Sequence, residues 1–152
     1  MKSRRILVLG VLMAVCSLTI AGAAQAQQKT AGRTLTIKLK YSGSGTVDDK
    51  HLIQVFLWDS ADFVTGGAMP FMIQASASKS GIVTLSDLDK SPVFVSVAYD
   101  PQGGYNEVAA PPPSGSSLGM YAKTPGTPEP VKIEPGETAE IELAFDDSFK
   151  MP

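Results

Sequence analysis

The chain contains a single histidine, His51, two residues after the pair Asp48-Asp49. These are the nearest approach in the sequence to a general base beside an orienting carboxylate. A Ser-His-Asp triad needs its imidazole held in a pocket against a hydroxyl, and adjacency along the chain supplies neither. His51 is therefore read as a solvent-facing turn residue at the start of a strand, and no catalytic residue is assigned. Soft-ligand chemistry has its own inventory: Met69 and Met72 stand three apart, and with Met120, Met151 and His51 they could hold copper(I) in an oxidising compartment. Strand geometry puts Met69 and Met72 on opposite faces, so they converge only in a loop, and methionine is also ordinary core filling. Calcium needs roughly six to eight oxygens at one point. Asp48, Asp49, Asp59, Asp62, Asp87, Asp89, Asp100, Asp146 and Asp147 stand near predicted strand ends and could supply them if several loops meet. None forms the spaced Asp-x-Asp-x-Asp-Gly loop of a dedicated site, and aspartate is common in turns. The remaining chemistry is aromatic. Trp58, Tyr105 and Tyr121 are candidates for stacking on a sugar or gripping a protein partner. Phe56 and Trp58 share one face of a strand, a pattern that also fits a second buried layer of a sandwich. Tyr105 and Tyr121 fall in a Pro/Gly-rich stretch, where loops tend to carry function.

The compartment these residues work in is set by the first 26 positions. Lys2, Arg4 and Arg5 form a basic start, residues 6–20 an almost unbroken apolar run, and Ala24 and Ala26 place small side chains where a signal peptidase reads them. An apolar run of about 15 residues is too short to span a membrane, which takes roughly 20. The expected product begins at Gln27 and is periplasmic or secreted. Cys16 lies inside the run behind Val15, so no lipid-attachment cysteine follows it.

Cleavage after Ala26 removes the only cysteine, so disulfides and thiolate chemistry leave with the signal. It also removes three of the 13 Lys and Arg residues, leaving ten against 15 Asp and Glu, a net charge of −5. That balance disfavours nucleic acid and anionic membrane as partners. Residues 27–152 are long enough to bury one independent core, and one domain is expected.

The elements that must position these residues are strands. From Arg33, Leu35, Ile37, Leu39 and Tyr41 alternate with Thr36, Lys38 and Lys40, a half-buried strand. Residues 51–59 are apolar on both faces, as in a central or covered strand. Shorter strands are expected over 71–75 and 82–85, and a strong one over 92–100. Residues 100–130 hold seven prolines and five glycines. A structureless loop of that length is uncommon in a compact domain, so a short strand near 118–123 is expected between proline-stiffened arms. The end of the chain reads as a hairpin, with Val131 and Ile133, a type II turn on Pro135-Gly136, then Ala139, Ile141, Leu143 and Phe145 in alternation. Together these predict an all-β, antiparallel Greek-key β-sandwich of about seven strands.

Two phrases carry a resemblance. Leu85-Ser86-Asp87-Leu88 stands before Val93-Phe94-Val95-Ser96-Val97-Ala98-Tyr99, and Val131-Lys132-Ile133-Glu134-Pro135-Gly136-Glu137 before the strand from Ala139 to Phe145. They resemble the carboxypeptidase-regulatory-like and transthyretin-like sandwiches of secreted bacterial proteins, over residues 82–145. Gly45-Thr46-Val47-Asp48-Asp49 matches that family's first turn, whereas the Pro-rich segment is outside its pattern. The resemblance implies a Greek-key sandwich of seven or eight strands with an accessory or binding role. A transthyretin-like enzyme of purine breakdown uses more than one histidine, an arginine and a terminal Tyr-Arg-Gly-Ser. The expected mature chain has His51 and Arg33 alone and ends Phe149-Lys150-Met151-Pro152, so that activity is not expected. The expectation is a non-catalytic binding or accessory domain without a cofactor, contacting a protein or a carbohydrate such as a cell-surface polymer through Trp58, Tyr105 and Tyr121. The alternative is a periplasmic copper or calcium protein using His51, Met69, Met72 and Met120.

Overall fold

Leu35, Ile37, Leu39 and Tyr41 all point inward from the first strand, β1 (Arg33–Tyr41), and are almost fully buried, while Lys38 and Lys40 on its other face are exposed. The computed structural model describes residues 32–106 and 110–152. The predicted signal segment and its cleavage site at Ala24 and Ala26 lie outside the described residues. After β1 come β2 (Ile53–Trp58), a single 3-10 turn at Ala61–Thr65, β3 (Met72–Ser76), β4 (Ile82–Leu88), β5 (Phe94–Tyr99), β6 (Ser117–Met120) and β7 (Thr138–Phe145). They form two sheets, one ordered β4-β1-β7 and the other β3-β2-β5-β6. Their inner faces share one apolar core running through Leu35, Ile37, Ile53, Leu57, Val95 and Leu143. The fold is thus the expected seven-stranded all-β sandwich. Among the described residues no helix is long and apolar enough to cross a membrane.

Two elements differ from the sequence expectation. The strand expected to end at Leu85 continues to Leu88 through a bulge. Leu35 faces Leu85 and Arg33 faces Leu88, so β4 spends one extra residue there, and Asp87 adopts the left-handed backbone with φ 56°. The extra residue returns Leu88 to the core face, where strict alternation would have turned it outward. The closing hairpin also fails to form, although its turn does. Gly136 has φ 82° and Glu137 N donates to Glu134 O at 3.0 Å, as a Pro-Gly type II turn requires. The two arms nevertheless part. Val131 exchanges both backbone hydrogen bonds with Val93, while β7 runs parallel to β1 in register from Thr34–Thr138 to Tyr41–Phe145. One parallel pair therefore sits in an otherwise antiparallel fold.

Where β1 ends, Asp147 ties the sheets together. Its Oδ1 accepts from the Tyr41 hydroxyl at 2.5 Å and the Ser117 hydroxyl at 2.7 Å, and its Oδ2 from the Ser44 N–H and hydroxyl at 2.8 and 2.9 Å. The Tyr41 ring packs between those of Tyr99 and Phe145, at 4.9 and 4.8 Å between centroids. The two sheets also approach closely at Gly119, where a Cβ would lie 2.5 Å from Phe145 Cβ and 3.0 Å from Val97 Cγ2. Gly119→Ala should therefore destabilise the fold by about 1–3 kcal/mol through overpacking, read as a lower denaturation midpoint with unchanged slope. An unchanged midpoint would mean that Phe145 moves aside at no cost.

Candidate functional site

The outer face of the four-stranded sheet is apolar, and the alternation of its strands makes it a trough. Phe56 and Trp58 project outward from β2, Leu118 and Met120 from β6, and Ser96 and Ala98 from β5 between them, while Phe94 at the start of β5 stands beside Trp58 at the end of this row. The register sets Phe56 beside Ser96 and Ser96 beside Met120 in one row, and Ala98 beside Leu118 in the next. Large side chains on the flanking strands and small ones on the middle strand leave a channel along β5. Three loops deepen it into a cleft of about 740 Å³.

The first wall is the 3-10 turn. The Ser60 hydroxyl caps it by accepting from Asp62 N at 3.1 Å, and Gly66, with φ 76°, ends it in the left-handed conformation. This short turn stacks Phe63 on Trp58, with ring centroids 4.9 Å apart and planes 17° from parallel. The second wall is the Pro-rich segment. Gln54, buried on the outer face of β2, donates from Nε2 to Tyr105 O at 2.9 Å and holds that loop against the sheet. Tyr105 lies 6.3 Å from Phe56, and its hydroxyl donates to Ala110 O at 2.8 Å. The third wall is the C-terminal tail, which lies along the edge of β6. Leu118 N donates to Phe149 O, and Met151 N to Ser116 O, at 2.9 and 2.8 Å. Phe149 and Met151 therefore face the cleft, and the edge of β6 is covered.

Polar groups are few inside. The Trp58 indole N–H donates to Ser96 Oγ at 2.9 Å. Among the described residues, no Asp, Glu, Lys, Arg, His, Asn or Gln lines the cleft. The mouth is apolar as well. Val64, Met69 and Phe149 border it, and these are three of the four large apolar side chains exposed among the described residues. The fourth, Ile82, belongs to the other sheet.

Of the residues singled out in the sequence, Trp58 and Tyr105 meet here, with Phe56 between them at 6.0 Å from Trp58. Tyr121 does not join them. It follows β6 one position after the outward-facing Met120, so alternation turns its ring inward, and it packs against the core. The soft ligands are also divided. Met69, Met120 and Met151 line the cleft, Met72 packs against the core from β3, and His51 borders a separate shallow pocket beside Lys50 and Gly103. The His51 ring Nδ1 lies 2.8 Å from Asp48 Oδ1 in an exposed turn. Hydrogen bonds from His51 and from the Lys50 and His51 backbone hold the Asp48 carboxyl below its usual range. Among the described residues no three His, Cys, Asp or Glu side chains are grouped to hold a metal ion.

Phe63, Val64, Leu118, Phe149 and Gln54 were passed over in the sequence reading. The Ser60 cap and the Gly66-Gly67 stop bracket a single turn that carries the pair Phe63-Val64 out of the strand pattern, and this was the available signal. No local signal marks Phe149 as a wall, because its place depends on the tail pairing with β6. Comparison with known proteins finds no matching family model and no significantly similar curated protein or solved structure.

Proposed function

We propose that this chain is an exported, non-catalytic binding protein that takes an apolar group of its partner into the trough on the four-stranded sheet. The observation that carries this reading is the trough itself, a cleft of about 740 Å³ with aromatic flanks and an apolar rim. Small-ligand sites typically have volumes of about 300–1,000 Å³ and apolar linings with a few polar groups. Surface apolar residues are normally scattered, and here three of the four large ones exposed among the described residues border one concavity. The signal-like first 26 residues support export, and the resemblance to carboxypeptidase-regulatory-like sandwiches supports an accessory role. The only histidine is paired with Asp48 in an exposed turn, away from the cleft, which supports a role without catalysis.

A photo-crosslinking side chain placed at Val64 in the producing cell should form adducts. The same side chain at Ile82, equally exposed but on the other sheet, should form none. Equal adducts at both positions, or none at Val64, would remove the trough from the function.

Copper(I) binding is the second reading, favoured by Met69, Met120 and Met151 on one cleft. It requires a thermal shift with copper(I) that is lost when Met69 and Met151 are both replaced by leucine. No shift ends it.

A further inference from the structure

We infer that the occupant of the trough is the hydrocarbon chain of a single lipid or fatty-acid molecule, an inference that rests on the binding role proposed above. The lining decides between the partner chemistries. A sugar stacked on Trp58 or Phe63 would bring hydroxyl groups that need donors and acceptors on the walls. Among the described residues no side-chain carboxylate, guanidinium or amide belongs to that lining. The Trp58 indole N–H is engaged with Ser96 Oγ and the Tyr105 hydroxyl with Ala110 O. A saccharide would therefore find few side-chain partners to replace the hydration it loses, which is unfavourable.

A peptide bound by strand addition fails for a related reason. It needs a free strand edge to pair its backbone, but the trough is the face of the sheet, and the neighbouring edge of β6 is taken by the tail at Phe149 and Met151. A hydrocarbon chain has no polar atom to satisfy, so each methylene that leaves water is a gain.

Charge points the same way. Among the described residues no charged side chain lines the cleft, whereas the expected mature chain carries a net charge of −5. An anionic membrane surface, with many charges, is repelled by that balance, whereas a single molecule delivered from solution carries one charge or none and is repelled far less. Val64, Met69 and Phe149 at the mouth would cover the end of the chain nearest the headgroup, leaving the headgroup itself in water. The channel along β5 is open at Ser96 and Ala98 because the side chains there are small, a shape that accepts a slender chain lying along the strand.

Trp58 is the only tryptophan of the chain and stands in the trough, so its emission reports occupancy directly. The purified mature protein is titrated with laurate below its micelle concentration, with dodecanol as an uncharged molecule of the same chain length, and with cellohexaose. Saturable changes in Trp58 emission are expected with laurate and dodecanol, with dissociation constants on the order of micromolar, and none with cellohexaose. Met69→Lys and Phe149→Ser replace exposed side chains and leave the core intact. Each should weaken dodecanol binding roughly tenfold without shifting the denaturation midpoint. Binding of laurate but not dodecanol would show recognition of the carboxylate and overturn the inference. Response to cellohexaose in place of both would overturn the ligand class and leave the trough as the binding site. Silence with all three probes, in a protein that still crosslinks at position 64, overturns the hydrocarbon inference alone. Loss of that crosslinking overturns the binding reading itself.

Discussion

Replacing Asp147 by alanine is expected to lower the folding stability by about 2–4 kcal/mol at neutral pH, measured by chemical denaturation. The carboxylate accepts from Tyr41, Ser44 and Ser117, and Tyr41 and Ser117 are both buried. Alanine would leave their hydroxyl groups without an acceptor inside the fold, and an unmet buried donor costs more than the bond itself contributes. The cluster also joins three distant parts of the chain, the end of β1, the start of β6 and the segment after β7, so its loss loosens the contact between the sheets. Asp147→Asn keeps one acceptor and should cost less.

The same cluster sets an acid limit. The Tyr41 hydroxyl, then the Ser44 N–H and the Ser117 hydroxyl, hold the Asp147 carboxyl well below the usual carboxylate range. An unfolded aspartate titrates at about 3.9, so the stabilisation is complete above about pH 5 and declines as the pH falls through 4. The stability gap between the native protein and Asp147→Asn should therefore shrink between about pH 5 and pH 2. A gap that is constant over that range would show that the negative charge contributes nothing. At the alkaline end the sign reverses. Burial, and then the neighbouring Asp147, push the Tyr41 phenol up to about 12, so the native state keeps a proton that the unfolded chain loses above about pH 10. Stability falls as the pH rises through that window.

Ile37→Ala is expected to cost about 3–4 kcal/mol, a large part of the about 5–15 kcal/mol that holds a domain together. Ile37 is fully buried at the centre of β1, with Val83 of β4 on one side and Ile141 of β7 on the other, both also buried. Alanine there leaves a cavity that two flanking strands cannot close without breaking register. Ile82, one residue from Val83 but facing outward, is the control. Ile82→Ala should change stability by no more than about 0.5 kcal/mol. A small loss at Ile37 would mean that the three-stranded sheet repacks freely.

The strands themselves were legible in the sequence because their cause is local. Alternation of the Leu35–Tyr41 kind decides which face is buried wherever the strand goes, and it located β1, β5 and β7; the apolar run of residues 51–59 marked β2, and the length of the Pro-rich segment called for a short strand near 118–123, where β6 (Ser117–Met120) lies. Turn chemistry was local too, and Pro135-Gly136 forms the expected turn. Which strands pair was not legible, because pairing compares burial across the whole molecule. Two arms that looked like a hairpin found better partners, β7 beside β1 and Val131 beside Val93. The site divides in the same way. Trp58 and Tyr105 were visible as aromatic residues, and Phe56 as a residue on the same face as Trp58. The trough exists only because three strands align two small residues between four large ones, and because a capped turn, an anchored loop and the C-terminal tail are folded against them. Sequence alone determined the strand faces and the net acidity expected of the mature chain. Tertiary structure decided the neighbours, and with them the removal of Tyr121 to the core and the arrival of Phe63 and Phe149 at the cleft.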